Sequence, residues 1–177
     1  MKNFSLKFLD VMVGIILGLG FQWWPSLKEP WQFIAFIFVY FDIVDYWIDY
    51  GPSLKKFPPK REIDVLLDVG IMFALFLYIY TTQLSILYFF GAFILLRVLD
   101  YLWLLSSKYE YHPTRADGAF VDTWLNFNLV ECLFAIGLTF LVFFSSFSSF
   151  ALLIVFIIFR IIIRVFASLR YKKIHFV

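Results

Sequence analysis

The sequence predicts an all-α polytopic membrane protein with six transmembrane helices and both termini in the cytoplasm. Of its 177 residues, 63% are hydrophobic and 23% are aromatic, and the mean hydropathy is +0.86. A soluble domain is closer to half apolar. Six apolar stretches each reach about 20 residues, the length a helix needs to cross a bilayer. Little chain remains between them, so residues 1–177 are expected to form a single transmembrane helical domain.

The six segments follow one another closely. We place them at Leu6–Trp24, Trp31–Tyr50, Ile63–Thr81, Leu84–Leu105, Phe120–Phe143 and Ser148–Leu169. The first is a poor signal peptide, because Asp10 interrupts its apolar run and no small-residue cleavage site follows. It is therefore retained as a membrane helix.

The connections between the segments alternate in character. Those on one side are short: Gln22–Pro30, residues 82–83 and the serine-rich residues 144–147. Those on the other side are longer and polar, Gly51–Lys60 and Ser106–Ala119. The prolines in the connection Gly51–Lys60 predict that the second helix ends before them.

Basic residues mark one side of the predicted membrane. Eleven lie on the side of the longer connections: Lys2, Lys7, Lys55, Lys56, Lys60, Arg61, Lys108, Arg115, Arg170, Lys172 and Lys173. Only Lys28 flanks the other side. This asymmetry indicates that the basic side is cytoplasmic. The basic rim is explained by topology and by contact with membrane lipids, so nucleic acid is not an expected partner.

Five aspartates lie near the predicted membrane boundary. Asp42, Asp45 and Asp49 are spaced i, i+3, i+7 and share one helix face, whereas Asp64 and Asp68 are spaced i, i+4 on the next helix. We expect the two faces to meet at the cytoplasmic ends of neighbouring helices. Converging carboxylates repel one another unless cations neutralise them, and oxygen-only ligands suit Mg²⁺ or Mn²⁺.

Further charges lie inside the apolar segments. Asp10, Asp100 and Glu131 are acidic, and three arginines accompany them: Arg97, Arg160 and Arg164. Most of these charges fall in the predicted cytoplasmic half, which indicates a polar cavity open to the cytoplasm and closed outside. The alternative is that the acids only pair with the arginines, but six acids well within the helices exceed three arginines. Three other acids are expected to be interfacial and solvated: Asp49, Asp64 and Asp122.

One part of the chain resembles the CDP-alcohol phosphatidyltransferase family. The residues are Phe41-Asp42-Ile43-Val44-Asp45 followed by Arg61-Glu62-Ile63-Asp64-Val65-Leu66-Leu67-Asp68. They keep the order and location of the family's four aspartates, with one more residue between the pairs. Gly91 to Arg97 is similar to the family's fourth helix. The chain differs where Tyr46 replaces a glycine, Asp49-Tyr50 replaces an Ala-Arg pair and Lys60 replaces a later glycine.

The resemblance implies a metal-dependent enzyme of phospholipid synthesis acting on a CDP-linked lipid. Asp42, Asp45, Asp64 and Asp68 would hold Mg²⁺ or Mn²⁺ against a diphosphate, and Asp68 would also be the general base. Candidates for contacting an anionic substrate are Arg97, Lys60, Arg61, Arg160 and Arg164.

Other functions remain open from the sequence. Arg160, Arg164 and Arg170 resemble an arginine-bearing voltage-sensor helix, which favours an ion channel or transport protein. Asn128 to Glu131 resembles the last conserved block of signal peptidase II, although the charge bias places Asp100 on the inner side. A non-catalytic membrane subunit, or a homo-oligomer, is also compatible with the abundant phenylalanine and the few glycines.

Overall fold

The structure is a computed structural model that describes the backbone of residues 2–144 and 147–171 and the side chains of residues 6–114, 116–144 and 147–170. Within these residues the chain forms helices and no strand, and six helices are long and apolar enough to cross a membrane. They are α1 (Lys2–Gly20), α2 (Pro30–Lys56), α3 (Glu62–Tyr80), α4 (Ile86–Tyr111), α5 (Arg115–Phe144) and α6 (Ser149–Tyr171). Short 3₁₀ helices at Phe21–Ser26 and Thr81–Gln83 follow α1 and α3. The predicted all-α fold with six membrane helices is confirmed.

The second helix is longer than its prolines predict. α2 begins with Pro30 in its first turn, where a missing N–H costs nothing, and it continues through Pro52 to Lys56. A proline inside a helix removes one backbone hydrogen bond. The hydroxyl of Ser53 donates to the carbonyl of Asp49 (2.8 Å) one turn before it, which supplies another bond beside the gap. The expected stop before Pro52 is therefore wrong.

The connection between α4 and α5 is also shorter than predicted. Residues 106–111 contain neither proline nor glycine and remain helical, and the connection spans only residues 112–114. His112 ends α4 in the left-handed conformation (φ 44°), and Pro113 follows it, as is common after a helix end. The predicted connection at residues 144–147 includes 145 and 146, which lie outside the described residues, as do Lys172 and Lys173.

The helices pack around the bundle in the order α1, α2, α6, α5, α4, α3, with α3 returning to α1. The most extensive packing joins α4 to α5 and α3 to α4. α2 packs on α1, α3 and α6, but its backbone makes few close approaches to α4 or α5. Side chains must therefore fill the space between α2 and the α4–α5 pair, and this space holds the candidate site.

The two ends of the bundle differ in chemistry. We call the end with the α2–α3 and α4–α5 connections the basic end, because Lys55, Lys56, Lys60, Arg61 and Lys108 lie there. Toward the opposite end the interior is filled by an aromatic layer of Tyr78, Phe89, Phe90, Phe93 and Phe156, each no more than 1% exposed. Phe156 is its centre, with ring centroids 4.7 to 5.5 Å from those of the three other phenylalanines. This layer separates the polar interior from the opposite end.

Candidate functional site

Two arginines and their acidic partners meet in the middle of the bundle. Arg160 of α6 donates to Glu131 of α5 (2.6 Å) and to Asp42 of α2 (2.7 Å). Arg97 of α4 lies 3.5 Å from the same Glu131 and 3.7 Å from Asp100. Glu131 thus lies between two guanidinium groups, and four helices are joined through charged side chains alone.

Neutral polar groups extend this arrangement. Arg97 donates to the amide oxygen of Asn128 (3.1 Å), whose amide nitrogen donates to Asp100 (2.8 Å). The hydroxyl of Tyr46 also donates to Asp100 (3.0 Å). We call these residues the central cluster: Asp42, Tyr46, Arg97, Asp100, Asn128, Glu131 and Arg160.

The central cluster is buried and central in depth. Arg97 is 2% exposed, Glu131 1% and Arg160 5%, and each lies close to the middle of its helix. The guanidinium carbons of Arg97 and Arg160 lie 5.0 and 5.9 Å from the ring centroid of Phe93, which belongs to the aromatic layer. Ionised groups at this depth are costly unless paired, and they commonly mark functional sites.

A second group of charges lies one turn nearer the basic end. Arg164 of α6 contacts Asp45 (2.6 Å) and Asp49 of α2. Asp42, Asp45 and Asp49 therefore share one face of α2, as their spacing predicts, and that face is turned toward the arginines of α6. From the sequence we expect Asp49 to be a solvated interfacial residue. Its side chain is instead 15% exposed and paired with Arg164.

A small cavity connects these two groups. Its lining includes Asp45, Asp49 and Ser53 of α2, Arg97, Asp100 and Trp103 of α4, and Arg160 and Arg164 of α6. Its volume is about 40 Å³, which holds about three water molecules. The lining extends from the central cluster toward the basic end, whereas the aromatic layer closes the other side.

Asp68 lies apart from the arginines. It is 3% exposed and accepts a hydrogen bond from the hydroxyl of Tyr50 (2.7 Å). The indole of Trp103 is beside the same carboxylate. No basic side chain among the described residues lies within ion-pair distance of Asp68.

Asp64 belongs to the basic end and has a structural role. Its carboxylate accepts hydrogen bonds from the backbone N–H of Arg61 (2.9 Å), from the Arg61 guanidinium (3.2 Å) and from Ser106 (2.7 Å). It therefore caps the start of α3, and at 5% exposed it is buried, contrary to the expected solvated position. Hydrogen bonding to Asp64 raises the pKa of Arg61 above its ordinary value.

Two other acidic and basic candidates are accounted for by surface contacts. Asp122 is exposed, as expected, and pairs with Lys108 (2.7 Å). Lys60 lies over the ring of Tyr111, 3.8 Å from its centroid. Neither contact indicates that Asp122 or Lys60 binds a substrate.

The four aspartates of the resemblance do not form a shared metal-binding group. Asp42 and Asp45 each bind an arginine, Asp64 caps α3, and Asp68 bonds to Tyr50. Over the described ranges no group of three or more Asp, Glu, His or Cys side chains is arranged to hold a metal ion. The residues in this arrangement do not fit Mg²⁺ or Mn²⁺, and the metal site stays a prediction.

Three residues of the site were not identified as functional candidates from the sequence. Tyr46 and Tyr50 stand out only as departures from the family pattern, yet they donate to Asp100 and Asp68. Their i, i+4 spacing, which places both on one face of α2, is the signal that could have identified them. Asn128 has a weaker signal, because it is one helical turn before Glu131.

The fold and the site define the class of protein as an all-helical polytopic membrane protein with a charged interior. No family model, curated protein or solved structure matches the chain. The resemblance to CDP-alcohol phosphatidyltransferases therefore stays a prediction that these comparisons do not test.

Proposed function

We propose that this chain is a membrane transport protein that translocates protons through the central cluster. The observation that carries the proposal is an excess of carboxylates over arginines in the interior of the bundle. Five of them surround three arginines in the ion pairs of the interior: Asp42, Asp45, Asp49, Asp100 and Glu131. If all were ionised, two negative charges would remain uncompensated. Acidic side chains in excess of their cationic partners inside a membrane are typical of the proton relays of pumps and transporters.

The size of the cavity favours a proton over a larger substrate. Pockets for small molecules have volumes of about 300–1,000 Å³. The cavity beside the central cluster measures about 40 Å³. Water molecules and hydroxyl groups fit this space, and together with carboxylates they are the components of proton relays in membrane proteins.

The aromatic layer favours a transport protein rather than an open channel. The cavity extends toward the basic end, whereas Phe93 and Phe156 pack at 4.7 Å between ring centroids on the other side of the cluster. A proton that reaches Glu131 from the basic end meets this layer, in which the four phenylalanines are apolar and the buried hydroxyl of Tyr78 is polar. Passage then requires a change in the packing of this layer.

Proton flux in reconstituted liposomes tests the proposal. A pH-sensitive dye inside the vesicles reports the flux driven by an imposed pH gradient, with valinomycin and potassium fixing the membrane potential. We expect liposomes with the wild-type protein to equilibrate faster than empty ones. Glu131→Gln and Asp42→Asn should lower the flux to the level of empty liposomes. Asp122→Asn is the matched control, because it removes an exposed carboxylate from the same bundle.

Two results would reject proton translocation: wild-type flux equal to that of empty liposomes, or unchanged flux in both buried-acid variants. Repeating the measurement at several membrane potentials addresses the voltage-sensor interpretation. A steep dependence that is lost on replacing Arg160 and Arg164 would favour a voltage-dependent pathway.

The phosphotransferase function is a second candidate, and the environment of Asp68 is the observation that favours it. This buried carboxylate has no arginine or lysine partner among the described residues, which suits a general base. Transfer from a CDP-linked lipid with added Mg²⁺ or Mn²⁺ tests this function. Turnover that is lost in Asp68→Asn would support it, and absence of both turnover and divalent-cation binding would reject it.

A further inference from the structure

One side chain of the aromatic layer differs from the other four. Tyr78 is fully buried, and its ring packs on those of Phe89 and Phe93, with centroids 5.2 and 5.6 Å apart. It therefore fills apolar space as a phenylalanine would. Its hydroxyl, however, has no hydrogen-bond partner among the described residues. A buried hydroxyl without a partner lowers stability, so packing gives no reason for a tyrosine at this position.

The hydroxyl of Tyr78 is directed toward the central cluster. Helical side chains lean toward the N-terminus of their helix, and α3 begins at the basic end. Tyr78 lies in the last turn of α3, so its ring extends back toward the middle of the bundle. Four charged groups of the central cluster interact electrostatically with its hydroxyl: Asp42, Arg97, Glu131 and Arg160. The hydroxyl is therefore the polar group of the layer that adjoins the charged interior.

Glu131 has an oxygen that can exchange a proton with this hydroxyl. Arg160 of α6, which also binds Asp42 of α2, contacts Oε1 of Glu131 at 2.6 Å. Oε2 lies 3.5 Å from Nε of Arg97 of α4 and has no hydrogen-bond partner among the described residues. A protonated carboxyl oxygen is a donor, and a phenol oxygen both accepts and donates. A proton on Oε2 can therefore pass to Tyr78.

Polar side chains are present again beyond the layer. Thr81 and Thr82 follow α3, Gln32 lies in the first turn of α2, and all three are buried at the end opposite the basic end. The amide of Gln32 donates to the carbonyl of Leu84 (3.0 Å). The hydroxyl of Tyr78 thus lies between two polar regions that the phenylalanines otherwise separate. Hydroxyl groups in such positions, together with carboxylates and water, form proton relays.

We infer that Tyr78 is the residue through which protons cross the aromatic layer. This inference rests on the proposed proton translocation. In the transfer, the Oε2–H bond of Glu131 breaks as its proton binds the oxygen of Tyr78. The O–H bond already present on Tyr78 breaks in the same step, and that proton passes to a water molecule that enters from the opposite end when the layer repacks. Glu131 returns to a carboxylate, Tyr78 stays neutral, and the water becomes hydronium.

Proton flux in reconstituted liposomes tests the role of Tyr78. Tyr78→Phe removes only the hydroxyl and should lower the protein-dependent flux about a hundredfold, as loss of a positioned proton-transfer group does. Tyr88→Phe is the matched control, because it removes a hydroxyl from a side chain of α4 that is 64% exposed, and it should conduct like the wild type. Unchanged flux in Tyr78→Phe would overturn this inference and leave proton translocation standing. Wild-type flux equal to that of empty liposomes would overturn both.

Unfolding of the same variants in mixed micelles with dodecyl sulfate separates proton transfer from a structural role. The hydroxyl of Tyr78 has no partner among the described residues, so Tyr78→Phe should unfold at the same or a higher dodecyl sulfate fraction than the wild type. Tyr50→Phe is the comparison, because it removes a hydroxyl that donates to Asp68 (2.7 Å), and it should unfold at a lower fraction. If Tyr78→Phe loses stability together with flux, its hydroxyl has a structural role and the inference is wrong.

Discussion

Replacing Arg160 with methionine removes the cation that joins α6 to both α2 and α5. In the wild type its guanidinium lies 2.7 Å from Asp42 and 2.6 Å from Glu131, and the three side chains are 5%, 10% and 1% exposed. Asp42 has no other cationic partner among the described residues, whereas Glu131 retains Arg97 at 3.5 Å. Arg160→Met therefore leaves one buried acid without a cation and weakens the pairing of another.

The expected loss follows from this burial. Breaking a buried ion pair by removing one partner costs about 3–5 kcal/mol, because the other charge stays buried and uncompensated. The pair Lys108–Asp122 has nearly the same length, 2.7 Å, but its side chains are 51% and 55% exposed. Lys108→Met should cost no more than about 1 kcal/mol. The comparison separates the effect of burial from that of distance.

Unfolding in mixed micelles with increasing dodecyl sulfate, followed by tryptophan fluorescence, measures these differences. A triple variant, Arg160→Met with Asp42→Asn and Glu131→Gln, removes the stranded charges and should recover about 2 kcal/mol of the loss. If the triple variant is no more stable than Arg160→Met, lost packing and not unpaired charge explains the effect. Equal costs for Arg160→Met and Lys108→Met would refute the argument from burial.

The remaining predictions concern helix packing and topology. A Cβ atom at Gly20 would lie 2.5 Å from Cδ1 of Ile79, so Gly20→Ala should destabilise by about 1–3 kcal/mol in the same unfolding titration. Gly137→Ala is its control, because nothing lies within 4 Å of the added atom, and it should be neutral or stabilise by up to about 1 kcal/mol. In a background without the native cysteine, Lys28→Cys should react with a membrane-impermeant maleimide in intact cells, whereas Lys55→Cys should react only after permeabilisation. The reverse labelling pattern would contradict a cytoplasmic basic end.

The helical architecture was readable from local sequence. Length and hydropathy identify a membrane helix without its neighbours, because each segment must satisfy its own backbone hydrogen bonds in lipid. The errors lie at helix ends. Pro52 did not stop α2, and residues 106–111 continued α4, because polar residues remain helical where bonding or packing allows it. Helix ends therefore depended on contacts that hydropathy does not contain.

The spacing of the aspartates likewise determined which of them share a face of α2. It did not determine what that face meets. Asp42 and Asp45 are separated in sequence from Arg160 and Arg164 by 118 and 119 residues, so their pairing depends on α6 packing against α2. A count of acids and arginines suggested an excess that required a metal ion. The structure adds what a count does not contain, namely that each arginine of α6 is bound to two carboxylates.

The sequence by itself determined that this protein has six apolar helices, a basic end and charged residues inside the membrane segments. These properties depend on composition and on the period of one helix at a time. Only the tertiary structure decided that Asp64 caps α3 while Asp42 binds Arg160, and that a cavity lies between α2 and the α4–α5 pair. Ion pairing and cavity formation depend on distances between helices, and such distances are set by how all six pack together.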